Sequence, residues 1–201
     1  FAVPEQISKD PELLALKNEL TLMLTGHQPR FSELATRYFT IEDLFGIRER
    51  MVGSGSIGGK AAGMLLARRI LAAGEDGAYF EGLLEDHDSF FIGSDVFFTF
   101  LVNNDLFRTR LQLTRSSHIS ADEFEAVEKL FLAGSFPTAI MEQFRSMLDY
   151  FGQAPIVVRS SSLLEDSFGN AFAGKYRSEF CANQGSPEQR LESFLEAVKL
   201  V

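Results

Sequence analysis

The period of the hydrophobic pattern changes several times along the chain, and each change marks an element. Apolar residues recur three and four apart after Asp10-Pro11, through "ELLALKNELTLML" to Gly26. A capping aspartate, a first-turn proline and a closing glycine predict a helix there. "FTIEDLFGIRERM", capped by Thr40, predicts a second helix, and "KAAGMLLARRILAA" a third that ends at Gly74. "SFFIGS" is short, apolar and bounded by turn residues, which predicts a buried strand. "DVFFTFLVNNDL" returns to the helical period. Ser120 and Glu123 form a capping box that opens "ADEFEAVEKLFLAG", and "PTAIMEQFRSMLDYF" makes another helix closing at Gly152. The β-branched run "APIVVRSSS" is the clearest strand, the alternating "KYRSEFCAN" a second, and Ser186-Pro187 opens a last helix. No internal repeat or low-complexity segment interrupts this order. The pattern predicts a helix-rich α/β (α+β) fold.

Composition narrows the function classes. The 201 residues suffice for one large domain or two small ones, and 45% hydrophobic content is ordinary for a globular protein. A net charge of -9 argues against a nucleic-acid or anionic-membrane surface, both of which need a basic face. A local basic pocket for a phosphate stays compatible with it. A lone cysteine, Cys181, forbids an internal disulfide and suits a reducing cytoplasm. No apolar stretch nears the length of a membrane span, and no leader pattern opens the chain. The chain starts at Phe1 and stops within a helical pattern at Val201, so it reads as a fragment of a longer protein.

The densest chemical signal is "GSGSIGGKAAG", Gly53 to Gly63, with five glycines and a lysine ahead of a helix. A P-loop would need Ser or Thr after the lysine, where Ala61 stands, and Gly59 is one glycine too many. Gly53, Gly55 and Gly58 satisfy the dinucleotide fingerprint, with Glu75 or Asp76 near the expected distance. Both templates also want a preceding hydrophobic strand, and "GIRERMV" does not read as one. The bland alternative is a flexible turn with a solvated lysine. Physical chemistry favours an anion. Gly58 and Gly59 permit close backbone approach, and a helix start offers N–H groups and partial positive charge. Lys60 sits against that field unless something negative lies beside it.

"PIVVRSSSLLEDSFGNAFAGKYRSEF", Pro155 to Phe180, is the second signal. A strand delivers Arg159, whose guanidinium can grip phosphate oxygens bidentately, and serine hydroxyls follow. Strand, loop and strand make a hairpin whose tip could fold over phosphates. A salt bridge from Arg159 to Glu165 or Asp166 is the plain structural alternative. Other candidates carry less. His27, His87 and His118 lack metal-ligand spacing, Glu85 to Asp88 reads as a solvated acidic turn, and Cys181 as a buried strand residue. "RTRLQLTR", Arg108 to Arg115, is a small basic strip, and the 20 phenylalanines are core material.

Together the two segments resemble the phosphoenolpyruvate synthase and pyruvate phosphate dikinase family. Gly58-Gly59-Lys60-Ala61 is similar to that family's G-G-K-x motif. Arg159-Ser160-Ser161, then Glu165-Asp166, then Phe172-Ala173-Gly174 match its R-S-S-x-x-x-E-D-x-x-x-x-x-F-A-G run without a gap. "SFFIGSDVFFTFLVNNDL" is similar to its strand-turn-helix, so the resemblance covers about Val52 to Ala182. Two departures stand out: Lys175 replaces a common glutamine, and the first 50 residues do not resemble the expected lead-in.

The resemblance implies the N-terminal part of an ATP-grasp-type nucleotide-binding domain over residues 51–201, after a helical extension over 1–50. It implies that the enzyme uses ATP to phosphorylate a histidine on a separate domain, and that a third domain hands the phosphoryl group to pyruvate. By that resemblance Lys60 and Arg159 contact the ATP phosphates, with Gly58, Gly59, Ser160 and Ser161 beside them. Phe172, Ala173 and Gly174 would close over the nucleotide. Glu165 and Asp166 match motif positions too, and positioning Arg159 is the role we expect of them, one the resemblance itself does not specify. The Mg²⁺ carboxylates and the partner domains would lie beyond Val201, leaving the fragment inactive alone. A degenerate ATP-grasp module and a dikinase for another acceptor are the alternatives, and a homodimer is left open.

Overall fold

The computed structural model describes residues 10–85, 88–116, 118–162, 166–167, 170–171 and 176–201. The chain forms two compact units, the first from residues 1–93 and 161–173, the second from residues 94–160 and 174–201.

Unit 1 opens with helix α1 (Pro11–Thr25), whose cap Asp10 accepts from the Glu12 amide at 2.9 Å. Gly26, at φ +79°, ends it as expected. Helix α2 (Pro29–Tyr38) has no side-chain cap, and Pro29 stands in its first turn. Helix α3 (Ile41–Glu49) carries a capping box, with Asp43 N–H donating to Thr40 Oγ1 at 3.2 Å and Thr40 N–H to Asp43 Oδ2 at 2.7 Å. Asp43 also pairs with Arg69 of helix α4 (Gly59–Ala73). Lys17 of α1 donates to the Thr36 carbonyl in the last turn of α2 at 2.8 Å, and its burial lowers the ammonium pKa.

Leu24, Phe39, Leu44, Ile47, Ile57 and Leu66 belong to one buried cluster within this unit. Each such side chain contributes roughly 1.5–3 kcal/mol by leaving water. The cluster joins α1, α2 and α3 to α4.

One expectation is corrected here. Strand β1 (Met51–Val52) directly precedes the glycines, although "GIRERMV" does not read as a strand. Both its residues are buried, and it pairs in parallel with strand β2 (Phe91–Ile92), which follows the short helix α5 (Gly77–Glu81). Phe91 N–H donates to Arg50 O at 2.8 Å and Gly93 N–H to Val52 O at 2.9 Å. Two residues flanked by Arg50 and Gly53 are too few to show a period.

Unit 2 begins with helix α6 (Ser94–Asn103) and helix α7 (Phe107–Arg115), separated by a turn in which Asp105 takes φ +56°. The basic strip at 108–115 is thus helical, and α7 has no buried residue. Helix α8 (Ala121–Ala133) opens on its Ser120–Glu123 capping box, and helix α9 (Thr138–Phe151) leads to strand β3 (Ile156–Arg159). The chain then returns to unit 1 for a small antiparallel hairpin, strands β4 (Asp166–Ser167) and β5 (Asn170–Ala171). It re-enters unit 2 as strand β6 (Ser178–Cys181) and helix α10 (Pro187–Leu200). Strands β3 and β6 pair antiparallel, Val157 opposite Phe180 and Arg159 opposite Ser178. Cys181 is buried at the end of that ribbon.

A file of aromatic rings, Phe100–Phe136–Phe144–Phe194, with centroids 4.7, 5.4 and 5.2 Å apart, links α6, α9 and α10. Asn183 closes the base of the β3–β6 ribbon. It is 1% exposed, takes φ +55°, and its amide donates to the carbonyls of Gly152 and Ala154, both at 2.9 Å. Buried Arg190 donates through Nε to Asn183 Oδ1 at 3.1 Å and through Nη2 to the Leu148 carbonyl. Asn183→Ala leaves these groups unsatisfied and puts in left-handed backbone a residue that tolerates it less well than asparagine. A loss of roughly 2–4 kcal/mol is expected in urea unfolding. Asn183→Gly relieves only the backbone part. The described fold is a helix-rich α/β arrangement in which every sheet has two strands.

Candidate functional site

The site grows from the β1–loop–α4 passage. Gly53 leaves β1 buried and at φ +88°, a conformation only glycine adopts without strain. Its carbonyl accepts from Arg48 Nη1 at 3.0 Å. Four residues on, Ile57 N–H donates to the Leu24 carbonyl at 2.7 Å, and the Ile57 side chain is 1% exposed. Gly58 then caps α4 without a side chain to do it.

The missing cap comes from the second signal segment. Ser161 Oγ accepts from the Ala61 amide at 3.0 Å, across 100 residues of sequence. Ala61 is the third residue of α4, the position an ordinary capping hydroxyl would serve. The approach is close enough to dictate a glycine. A Cβ on Gly58 would lie 1.6 Å from the Ser161 carbonyl oxygen. One helix N–H counted as open to an anion is therefore occupied by Ser161. Strand β4, a few residues further along the same segment, packs against α4.

Of the predicted site residues, Gly58, Gly59, Lys60 and Ser161 fall in unit 1, and Arg159 and Ser160 in unit 2. Lys60 is the second residue of α4 and half-buried; no acidic residue shares its first turn. Arg159 is exposed at the end of β3. Asp166 lies in β4. Glu165, Phe172, Ala173 and Gly174 lie outside the described residues, as does Lys175. Arg48 and Ile57 were not anticipated from the sequence. The bare Gly58 cap was a usable sign that an outside hydroxyl would be needed, whereas nothing local marks Arg48.

A strand, a glycine loop and a helix with lysine in its first turn bring backbone amides and a cation into one short stretch of chain. That combination suits a phosphate group. The family model for the pyruvate phosphate dikinase AMP/ATP-binding domain matches residues 54–200. The chain belongs to this family. It therefore carries an ATP-binding domain of the pyruvate phosphate dikinase family, and the match takes in both the glycine–lysine helix and the arginine–serine segment. Neither the comparison with curated proteins nor that with solved structures finds a match.

Other features of this pyruvate phosphate dikinase-family domain are plain. No described helix is long and apolar enough to cross a membrane. Among the described residues no group of three or more His, Cys, Asp or Glu is placed to hold a metal ion. In the acidic turn, Asp88 pairs with Arg50 at 2.8 Å, and His27 and His118 are exposed.

Proposed function

We propose that this domain is the N-terminal part of an ATP-grasp-type nucleotide-binding domain. In it, ATP supplies a phosphoryl group to a histidine nitrogen on another domain of a longer chain, from which the group passes to pyruvate. The observation that carries the reading is the docking of Ser161 on the Gly58–Ala61 helix start. It joins two motif segments that are distant in sequence and that both fall within the family match.

Phosphoryl transfer asks the protein for charge stabilisation and in-line positioning more than for covalent chemistry. In this reading Lys60 and Arg159 neutralise charge on the phosphates, Gly58 and Gly59 let backbone amides approach, and Ser160 and Ser161 order the strand exit. Phe172, Ala173 and Gly174 cover the nucleotide, and Glu165 and Asp166 orient Arg159. Mg²⁺, when bound, would offset phosphate charge, and no residue of this chain is assigned to it. A lone buried cysteine is in keeping with a reducing cytoplasm.

The test is incubation of the full-length protein with β- or γ-labelled ATP, with and without pyruvate. Label should appear on a protein histidine and be discharged by pyruvate. Absence of label would instead make the domain a non-catalytic nucleotide-binding module. Label that pyruvate does not discharge would point to another acceptor.

A further inference from the structure

We infer that residues 10–50 are the bed that shapes the glycine loop, with Arg48 a positioning residue acting through the Gly53 carbonyl. The functional half of this inference rests on the ATP-binding role proposed above.

The family match begins at Ser54, yet both anchors of the loop come from before it. Arg48 Nη1 holds the Gly53 carbonyl at 3.0 Å, and the Leu24 carbonyl holds the Ile57 amide at 2.7 Å. The Ile57 side chain is sunk in a cluster with Leu24, Phe31, Phe39 and Ile47, all from α1, α2, α3 or the turns between them. Between the anchors stand Ser54, Gly55 and Ser56, a stretch with little intrinsic conformational preference. Both flanks of this stretch are held from residues 10–50.

The two ends are held differently. Ile57 is fixed by burial. Gly53 is held by a charge-assisted hydrogen bond to a buried carbonyl at positive φ, where a shift of the peptide plane would redirect the amides that follow. Arg48 is itself exposed, so its removal should disturb the loop without dismantling the core.

The experiment uses the full-length protein with Arg48→Met, which keeps the stem and loses the donor, and Arg48→Lys, which keeps charge and a donor. Without nucleotide, amide hydrogen exchange over residues 53–59 should accelerate about tenfold in Arg48→Met, with unit 2 unchanged. ATP affinity should weaken by a similar factor, and Arg48→Lys should restore part of both. Unchanged loop exchange in Arg48→Met overturns the inference. Weakened ATP binding with unchanged exchange also overturns it, by giving Arg48 a direct charge role. If wild-type protein binds no ATP, the proposed function falls, while the exchange result still decides whether residues 10–50 hold the loop.

Discussion

Gly58→Ala is expected to detach the serine segment from α4 and to weaken ATP binding by well over tenfold. The alanine methyl would sit 1.6 Å from the Ser161 carbonyl oxygen and 2.6 Å from both its carbonyl carbon and its Oγ. Two of these are backbone atoms, so no rotamer change relieves the clash, and the chain must move. Overpacking of this kind costs roughly 1–3 kcal/mol. Losing the hydroxyl from the Ala61 amide leaves a helix-start donor without its cap, for about 0.5–2 kcal/mol more. Gly63 provides the control within the same helix. A Cβ there meets nothing within 4 Å. Gly63→Ala should therefore stabilise by about 0.5–1 kcal/mol, because glycine loses more backbone freedom in a helix than alanine does. Urea unfolding and calorimetric ATP titration of the two variants should move in opposite directions in stability, with only Gly58→Ala impaired in binding. Wild-type ATP affinity in Gly58→Ala would show that the Ser161 contact is dispensable.

What was legible in the sequence were elements whose signals are local. The Asp10 cap with Pro11, the Ser120–Glu123 box and the Ser186-Pro187 start each act within three residues, and each helix begins where these signals predict. The β3 and β6 strands announce themselves through β-branched and alternating residues. What escaped were elements whose local signals are weak or that partners elsewhere define. Strand β1 exists because β2 and the core of unit 1 bury two residues that show no period by themselves. Helix α7 has no buried residue, so its pattern of arginines and threonines reads as a basic strip. Helix α2 begins without a capping side chain, and Pro29 alone marks its start.

The site follows the same division. The glycines, Lys60 and Arg159 stand out because phosphate chemistry needs those residue types. The contact of Ser161 with Ala61 spans 100 residues and could not be read from spacing. A capping hydroxyl supplied from so far away ties Ser161 to the helix start that carries Lys60, which is why Gly58→Ala is expected to affect more than the loop.

Lys60→Ala and Arg159→Ala should each lower ATP-dependent autophosphorylation of the full-length protein by roughly 10²–10³, the effect of removing one preorganised donor from a developing charge. At 1.36 kcal/mol per tenfold, that is about 2.7–4 kcal/mol of transition-state stabilisation. The two residues differ in what else they do. Lys60 lies in the first turn of α4, where the helix field opposes a cation. Lys60→Arg keeps the charge but not its compact shape, and should retain part of the activity. Arg159 is exposed at the end of β3, so Arg159→Ala should change stability by no more than about 0.5 kcal/mol. Activity and stability then separate. Phosphorylation should collapse while the urea midpoint stays put. An Arg159→Ala protein that labels at the wild-type rate would remove the guanidinium from the phosphate site. Full turnover by Lys60→Ala would leave the glycine loop as a structural turn, since without a cation there the helix start has only its amides to offer a triphosphate.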